Sequence, residues 1–322
     1  MTKIQVPVGE TILGNVNLTF VEIIGAGPGP TLGLISGIHG NEISSVGGLL
    51  SFLESMREIS PSNLCGRILA LPFANPFGLA RRERGVDGKD LNRSFPGDPK
   101  GSIHERITSA ILNFFRSEGA DLVIDLHTMN PLSLPFVILE RVSAPPDLCR
   151  RTRDYADKFG VGVVFDLPPE EYVKDRLDNS SSARILSVGI PSFTVEVPGV
   201  FYSPSVGEAT IYSGLWNVVR GLKVVPMQEY LLWQHPSRMR VGVGIHSRFP
   251  GPKAERAGFF RHCVSPGDWA EKGGVLGEIL GVDGEILEKV VSPESGLVAD
   301  IIDAAMVQTG VELFELMVPE KK

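Results

Sequence analysis

The fold is indicated most clearly by residues 31–42, which read Thr-Leu-Gly-Leu-Ile-Ser-Gly-Ile-His-Gly-Asn-Glu. The first six residues form a short apolar run of the kind that makes a buried strand. Gly37 and Gly40 leave the backbone free to form the turn that follows. Residues 43–59 then carry apolar side chains at helical spacing. A strand that leads into a helix is typical of an α/β fold.

The same alternation of strand-like and helix-like segments continues through the first two thirds of the chain. Further strands are predicted at residues 16–24, 67–73, 121–126 and 192–197, and an amphipathic helix is predicted at 103–116. Strands separated by helical segments favour a mainly parallel, mixed sheet covered by helices. We therefore expect an α/β fold for this part of the chain.

After about residue 223 the pattern changes to short β-like segments, separated at close intervals by glycine and proline. These segments are residues 240–245, 258–263, 274–280, 285–291 and 296–301. The change predicts two domains, an α/β domain over residues 1–225 and a small all-β domain over residues 226–322.

Composition and charge exclude several classes of protein. The 322 residues are 43% apolar and 21% charged, which is typical of a globular protein with a sizeable core. The net charge of −7 argues against a nucleic-acid binder that neutralises phosphates. No apolar run approaches the ~18 residues of a membrane span, and the first residues lack the apolar stretch of a signal peptide. With 3 cysteines far apart, we expect a cytoplasmic protein that binds neither nucleic acid nor membrane, and whether it forms a homo-oligomer stays open.

Three residues suggest a metal site. His39 and Glu42 are three residues apart in the turn after a predicted strand, and His127 lies at the end of another, in Asp125-Leu126-His127-Thr128. In an open α/β sheet, ligands bind beyond the carboxyl ends of the strands, so these side chains could converge. Two imidazoles and one carboxylate, with a fourth position left to water, are the ligand set of a hydrolytic zinc site. The sequence therefore predicts one Zn²⁺ per chain.

Simpler interpretations of these residues stay open. Glu42 would also suit a helix N-terminus, where a negative charge is stabilised by ~0.3–1 kcal/mol. A single histidine after a strand is more often a hydrogen-bonded residue of the core or of a loop than a ligand. The other histidines lie on a predicted helix (His104) or in the C-terminal region (His235, His246, His262). We favour His39 and His127 because both follow strands of the α/β domain.

Residues 81–97 are dense in arginine, aspartate, asparagine and glycine and show no regular periodicity, which predicts a loop. A guanidinium matches a carboxylate in bidentate geometry, and Asn92 beside Arg93 adds an amide donor. Leu91 and Phe95 indicate that this part of the loop folds back onto the core. The alternative is a solvated basic loop.

Glu196 lies within the apolar run of residues 193–197. A carboxylate in such a strand is costly unless it has a partner or a task. One task would be to remove and relay the proton of a metal-activated water. The alternative is a salt-bridged strand residue.

With these residues identified, the chain resembles the succinylglutamate desuccinylase/aspartoacylase family, a branch of the zinc-carboxypeptidase-like fold. The resemblance rests on four segments that occur in the family's order, residues 37–42, 87–93, 125–128 and 195–197. As a set they are specific, and they extend over most of residues 30–200. The resemblance implies that zinc is held by His39, Glu42 and His127, and that Glu196 is the general base and acid.

The resemblance also implies roles for residues that would contact a substrate. Asn92 and Arg93 would bind a substrate carboxylate. Arg84 matches an arginine that polarises the scissile carbonyl. Arg184, upstream of Glu196, is a candidate for a second anion contact.

The C-terminal region resembles the C-terminal domain of this family, which is similar to biotinyl/lipoyl half-barrels. Residues 264–274 and 292–298 carry this likeness. No Met-Lys pair marks a hairpin tip where a prosthetic group would attach. We therefore expect a wall or gate over the active site, or an oligomer contact, rather than a swinging arm.

Together, these residues predict a zinc-dependent deacylase. It would hydrolyse the amide bond of an N-acyl amino acid or of a similar small substrate that carries a carboxylate, and cleavage of esters stays open. A zinc carboxypeptidase that acts on peptides is the first alternative. A non-catalytic module that binds a metal or ligand is the second.

Overall fold

The computed structural model describes residues 1–12, 14–199, 205–225, 233–235 and 246–320. Within these ranges the chain forms seventeen strands and seven α-helices. The strands are β1 (Thr2–Thr11), β2 (Gly14–Ile24), β3 (Gly27–Ser36), β4 (Cys65–Leu71), β5 (Leu122–Met129), β6 (Leu132–Ser133), β7 (Phe136–Leu139), β8 (Gly162–Phe165), β9 (Ser192–Pro198), β10 (His246–Pro250), β11 (Gly258–His262), β12 (Trp269–Ala270), β13 (Val275–Leu280), β14 (Ile286–Val291), β15 (Gly296–Ile301), β16 (Met306–Val307) and β17 (Phe314–Pro319). The helices are α1 (Ile43–Met56), α2 (Pro76–Arg81), α3 (Ile103–Ser117), α4 (Pro146–Ala156), α5 (Pro169–Lys174), α6 (Ser181–Ser187) and α7 (Val206–Gly221). None of the helices in the described ranges is long and apolar enough to cross a lipid bilayer.

Thirteen strands form one mixed sheet in the order β1-β2-β4-β3-β5-β9-β7-β8-β10-β17-β15-β12, and β6 pairs with β15. The predicted mixed sheet with helices is thereby confirmed. Strands β4, β3, β5 and β9 are parallel neighbours. Strands β7, β8 and β10 are also parallel neighbours, but β7 pairs antiparallel with β9. The N-terminal hairpin and the C-terminal strands add further antiparallel pairs, so the sheet is mixed, whereas the sequence pattern suggested a mainly parallel one.

The central strands are buried on both faces because helices cover both. In β5, residues Leu122, Ile124 and Leu126 belong to a core that includes Phe52 of α1 and Leu215 of α7. Successive side chains of a strand point to opposite faces. The intervening residues of β5 therefore face the other side of the sheet, where α3 and α6 pack.

Strand β9 follows the same rule. Phe193, Val195 and Val197 are part of the core on the side of α1 and α7. Thr194 and Glu196 must then face the opposite side. Glu196 is the polar residue of an alternating strand rather than an intrusion into an apolar one.

The predicted elements are confirmed with small changes at their ends. The helix expected at 43–59 ends at Met56, and the helix expected at 103–116 spans Ile103–Ser117. The structure adds the hairpin strand β1 and helices α4 to α7, which the sequence pattern did not predict.

Within residues 246–320, the C-terminal region is all-β, as expected. Strands β11, β13, β14 and β16 form a separate four-stranded sheet, whereas β10, β12, β15 and β17 extend the large sheet. The predicted strand at 240–245 lies outside the described residues, and the predicted boundary between residues 225 and 226 lies at their edge. That boundary and the likeness to a biotinyl/lipoyl half-barrel stay predictions.

Two glycines shape the turn between β3 and α1. Gly37 has a φ of +69°, in the left-handed region that favours glycine. Gly40 lies so close to α2 that an added Cβ would be 1.9 Å from the carbonyl carbon of Gly78. The Gly40 N–H also donates to the carbonyl oxygen of Glu83 at 3.0 Å. These contacts hold residues 38–42 against the start of α2.

We expect Gly40→Ala to destabilise the protein by about 3 kcal/mol, because the new methyl group overlaps backbone that cannot rotate away. Chemical denaturation of both proteins measures the difference. The matched control is Gly119→Ala, which meets nothing within 4 Å and has a φ of +64°. This control should lose only about 1 kcal/mol, the cost of a left-handed residue. Equal losses in the two variants would contradict the close approach.

Candidate metal centre and active site

The three residues predicted to bind a metal meet at the carboxyl ends of β3 and β5. His39 and Glu42 lie in the turn before α1, His127 lies near the end of β5, and all three are buried. Their potential ligand atoms lie within 4.8 Å of one another. Glu42 is the N-cap residue of α1, but its side chain makes no capping hydrogen bond. Its carboxylate accepts the Thr128 N–H at 3.0 Å instead.

The donor atoms face one another at the spacing of a metal site. The Nδ1 atoms of His39 and His127 are 3.2 Å apart. Glu42 Oε1 lies 2.6 Å from His39 Nδ1, and Glu42 Oε2 lies 2.9 Å from His127 Nδ1. Donors at 2.0–2.1 Å from a tetrahedral zinc ion are about 3.3 Å apart. The buried donor set therefore fits a divalent cation.

The Nε2 atom of each histidine faces a further carboxylate. His39 Nε2 lies 3.0 Å from Asp90 Oδ1, and His127 Nε2 lies 2.8 Å from Asp125 Oδ2. A carboxylate on one ring nitrogen sets the tautomer and the ring orientation, which leaves the other nitrogen for a metal. Asp90 and Asp125 thus direct both Nδ1 atoms towards Glu42.

The charges of this cluster depend on one another. Burial raises the pKa of Glu42, but His39 and His127 outweigh burial and bring that pKa well below its ordinary value. Burial lowers the pKa of His127, but Asp125 and Glu42 outweigh it and raise that pKa well above its ordinary value. The Glu42 carboxylate and the His127 imidazole thus stabilise each other's charged forms in the interior.

The cluster opens onto a polar cavity of about 350 Å³. Besides the three residues of the cluster, it is lined by Asn41, Arg84, Asn92, Arg93, Thr128, Met129, Asn130, Pro131, Ile138, Glu140, Asp166, Leu177, Ser180, Thr194, Glu196, Gly199, Arg248 and Asp303. Five residues expected at the site from the sequence alone, besides the cluster, were Arg84, Asn92, Arg93, Glu196 and Arg184. The structure brings the first four to the cavity.

Arg84 lies at the rim, with its side chain half exposed. Its Nε donates to Asp90 Oδ2 at 3.0 Å, and its Nη1 donates to Glu42 Oε1 at 3.2 Å. Burial lowers the pKa of Arg84, but Glu42 and Asp90 raise it above its ordinary value. The guanidinium is therefore a fixed positive charge beside the cluster.

Asn92 and Arg93 form a 3₁₀ turn, Leu91–Arg93, that the Asp90 side chain caps. Leu91 and Phe95 are buried, so this part of the loop does fold back onto the core. Arg93 donates from Nε to the carbonyl oxygen of Asp175 at 2.7 Å and from Nη1 to that of Asn92 at 2.9 Å. These bonds fix the guanidinium at the wall of the cavity.

Glu196 lies directly beside His127, because the two residues are register partners in β9 and β5. Its Oε2 atom is buried without a hydrogen-bond partner among the described residues. Burial raises the pKa of Glu196 to about 8, a rise that His127 limits and Glu42 strengthens. In the described part of the chain no salt bridge involves Glu196, so the simpler interpretation as a salt-bridged strand residue has no support there.

Arg184 is not brought to the cavity. Its Nη2 donates to Asn179 Oδ1 at 2.5 Å and lies 3.4 Å from Asp178 Oδ2. Arg184 stands in the first turns of α6, next to the segment that precedes the helix, and that segment supplies both partners. The structure thus offers no support for Arg184 as a second anion contact.

The C-terminal region supplies two cavity residues that sequence reasoning missed, Arg248 and Asp303. Arg248 of β10 donates from Nε and Nη2 to Glu315 at 2.8 and 2.6 Å, and from Nη1 to Asp166 at 2.9 Å. Burial lowers the pKa of Arg248, but Glu315 and Asp166 raise it well above its ordinary value. Nothing in the sequence around Arg248 links it to Asp166, 82 positions away, or to Glu315, 67 positions away. The C-terminal region thus forms a wall of the cavity.

Glu140 is a third cavity residue that the sequence did not predict. Tyr172 donates to its Oε2 at 2.9 Å, and Thr194 donates to its Oε1 at 3.2 Å, where Ser182 also donates. Burial, followed by the charge of Asp166, raises the pKa of Glu140 to about 7.

A buried carboxyl next to this cavity makes stability depend on pH. Asp300 of β15 accepts from Asn130 Nδ2 at 2.6 Å, and its Oδ1 has no hydrogen-bond partner among the described residues. Burial, followed by the charge of Glu315, raises the pKa of Asp300 from 3.8 to about 8. The unfolded chain therefore loses this proton at a lower pH than the folded chain does. Stability from this group is fully present below about pH 4 and is lost as pH rises towards 8.

We expect Asp300→Asn to stabilise the protein relative to wild type at about pH 8 and to change little at about pH 4, because the amide has no proton to lose. Thermal unfolding of both proteins across this range measures the effect. A shift in Tm that is the same at every pH would contradict the raised pKa of Asp300.

Comparison with known proteins places these features in a family. The sequence profile of the Succinylglutamate desuccinylase/Aspartoacylase catalytic domain matches residues 28–214. An N-alpha-acetyl-L-2,4-diaminobutyric acid deacetylase from Halomonas elongata is 34% identical over 175 residues, 52% of this chain and 49% of that protein. A probable aspartoacylase from Prochlorococcus marinus is 35% identical over 177 residues, 54% of this chain and 56% of that protein. The chain thus aligns with about half the length of these curated relatives.

Solved structures show the same fold. A succinylglutamate desuccinylase/aspartoacylase from Rhodobacter sphaeroides has a TM-score of 0.81 at 22% identity and covers 99% of this chain and 96% of its own. A metallo-carboxypeptidase from Burkholderia cenocepacia has a TM-score of 0.53 at 17% identity and covers 69% of this chain and 64% of its own. Since the family profile spans more than half of the sequence and contains the whole buried cluster, this chain belongs to the succinylglutamate desuccinylase/aspartoacylase family.

Proposed function

We propose that this chain is a zinc-dependent deacylase that hydrolyses the amide bond of an N-acyl amino acid or of a similar small substrate with a carboxylate. The observation that carries the proposal is that the buried cluster of His39, Glu42 and His127 shares one cavity with Glu196, whose Oε2 has no hydrogen-bond partner among the described residues. The names of the curated relatives, a deacetylase and a probable aspartoacylase, support the reaction class.

His39 and His127 would hold the ion through their Nδ1 atoms, and Glu42 would hold it through its carboxylate. A zinc ion supplies a Lewis acid that acidifies water and polarises a carbonyl group. Asp90 and Asp125 keep both imidazoles in the orientation that binding requires.

Glu196 moves the proton. Its carboxyl faces the same side of the sheet as His127, and its Oε2 has no competing hydrogen bond among the described residues. In its ionised form it can therefore accept a proton from the water that attacks the acyl carbon and deliver that proton to the leaving nitrogen. Arg84, at the rim beside Glu42, places a positive charge where the carbonyl oxygen of the substrate becomes negative.

Asn92 and Arg93 hold the substrate by its carboxylate. The side-chain Oδ1 of Asn92 accepts the Ser181 N–H at 2.9 Å, so the side-chain NH₂ group is left as a donor. A guanidinium beside an amide donor is a suitable receptor for a carboxylate. The cavity of about 350 Å³ lies at the small end of the range for ligand pockets, which suits a small molecule better than a long peptide.

We expect Glu196→Gln to slow hydrolysis of N-acyl amino acids by about 10²–10⁴-fold, because the amide cannot accept the proton of the water. Zinc content, measured on the same sample, should stay at one ion per chain. The control is Glu54→Gln, which changes an exposed carboxylate of α1 and should keep the wild-type rate.

The same assay separates the alternatives. A panel of N-acyl amino acids is compared with peptides that have free C-termini. Hydrolysis of the peptides alone would favour a carboxypeptidase. Zinc binding without turnover of either class, in wild type, would favour a binding module, and full activity in Glu196→Gln would overturn the assignment of the base.

Asn92→Asp should raise KM for an N-acyl amino acid by about 10–100-fold, since a hydrogen bond to a charged group contributes about 1.5–3 kcal/mol. The new carboxylate still accepts the Ser181 N–H but repels the carboxylate of the substrate. Steady-state kinetics measure KM. Asn179→Asp, an isosteric change at a residue outside the cavity lining, should leave KM unchanged. An unchanged KM in Asn92→Asp would remove Asn92 from the substrate site.

A further inference from the structure

A closed circuit of hydrogen bonds joins the metal cluster to the substrate-binding amide, and its first half runs through Asp90. The Oδ1 atom of Asp90 lies 3.0 Å from His39 Nε2. The same oxygen accepts the backbone N–H of Asn92 at 2.7 Å. One carboxylate therefore orients a metal-binding ring and fixes the backbone of the residue that faces the substrate.

The second half runs through Asp125 and Ser181. The Oδ2 atom of Asp125 lies 2.8 Å from His127 Nε2, and the Ser181 hydroxyl donates to the same oxygen. The Ser181 N–H then donates to Asn92 Oδ1 at 2.9 Å. Ser181 is fully buried, so both of its bonds lie in the interior. With Glu42 between the two imidazoles, the circuit closes.

We propose that Ser181 is a positioning residue that orients His127 through its hydroxyl and Asp125, and the carboxamide of Asn92 through its backbone N–H. The role of Asn92 in this inference rests on the proposed function. The link from Ser181 through Asp125 to His127 rests on the hydrogen bonds alone. Ser181 acts through two other residues and touches neither metal nor substrate.

The hydroxyl of Ser181 matters because Asp125 has few other partners. Asp125 is fully buried, and its Oδ1 atom has no hydrogen-bond partner among the described residues. Removal of the hydroxyl would leave the carboxylate with His127 as its remaining partner in the circuit. A carboxylate held at one point orients the imidazole less firmly, and loss of such outer partners weakens metal binding by about 10–100-fold.

The backbone N–H of Ser181 orients the side chain of Asn92. Ser181 is the first residue of α6, where N–H groups have no partner within the helix. Asn92 Oδ1 supplies that partner, and this orients the amide so that its NH₂ group is left for the substrate. The start of one helix thus sets both the metal ligand and the substrate donor.

The test compares Ser181→Ala with Ser182→Ala. Ser182 is equally buried, but its hydroxyl bonds to Glu140 and Thr194, outside the circuit. Affinity for Zn²⁺ is measured without substrate, by competition with a chromophoric chelator. Ser181→Ala should bind Zn²⁺ about 10-fold or more weakly than wild type, and Ser182→Ala should stay within about twofold. Thermal unfolding of the metal-free proteins shows whether both variants fold.

Kinetics at saturating Zn²⁺ complete the test. Ser181→Ala keeps its backbone N–H, so KM for an N-acyl amino acid should stay within about twofold of wild type. Wild-type affinity for Zn²⁺ in Ser181→Ala, or an equal loss in Ser182→Ala, would overturn the inference. Wild type that binds Zn²⁺ but hydrolyses nothing would instead overturn the proposed function, and the affinity comparison would still stand.

Discussion

The rest of the site depends on one constraint, which is that His39, Glu42 and His127 are buried with their donor atoms directed at one another. Removing such groups from water is costly unless each is paired. Two further carboxylates, Asp90 and Asp125, satisfy the outer nitrogens of the imidazoles. The interior is therefore arranged around charge rather than around apolar packing at this point. The chemistry and spacing of this donor set fit a divalent cation.

The sheet explains how residues so far apart in sequence meet. Parallel strands in register place equivalent positions side by side, and His127 and Glu196 are such partners. Alternation along β5 and β9 places Leu126 and Val195 on the side of α1 and α7, so His127 and Glu196 share the other face. The turn of residues 37–42 adds the remaining ligands at the same edge. Strand order and period thus bring His127 and Glu196 together, and the turn after β3 brings His39 and Glu42 to them.

Part of the site could be predicted from the sequence. His39, Glu42 and His127 were predictable because each follows an apolar strand, and the edge of the sheet brings such ends together. The expected loop of residues 81–97 was also found at the cavity. The sequence did not predict Arg184 and Arg248 correctly, because Arg248 lines the cavity and Arg184 does not. Which arginine reaches the cavity depends on side-chain partners distant in sequence, such as Glu315 for Arg248, and no local pattern encodes them.

The C-terminal region is joined to the rest of the protein through the large sheet, which includes its strands β10, β12, β15 and β17. Strand β10 pairs with β8 and β17, and its Arg248 is held between Asp166 and Glu315. The Arg248 guanidinium therefore pairs with one carboxylate from the α/β region, Asp166, and one from the C-terminal region, Glu315. Removing the Arg248 guanidinium would leave the Asp166 and Glu315 carboxylates buried without their cation, which is unfavourable. Buried ion pairs thus stabilise both this wall of the cavity and the metal cluster.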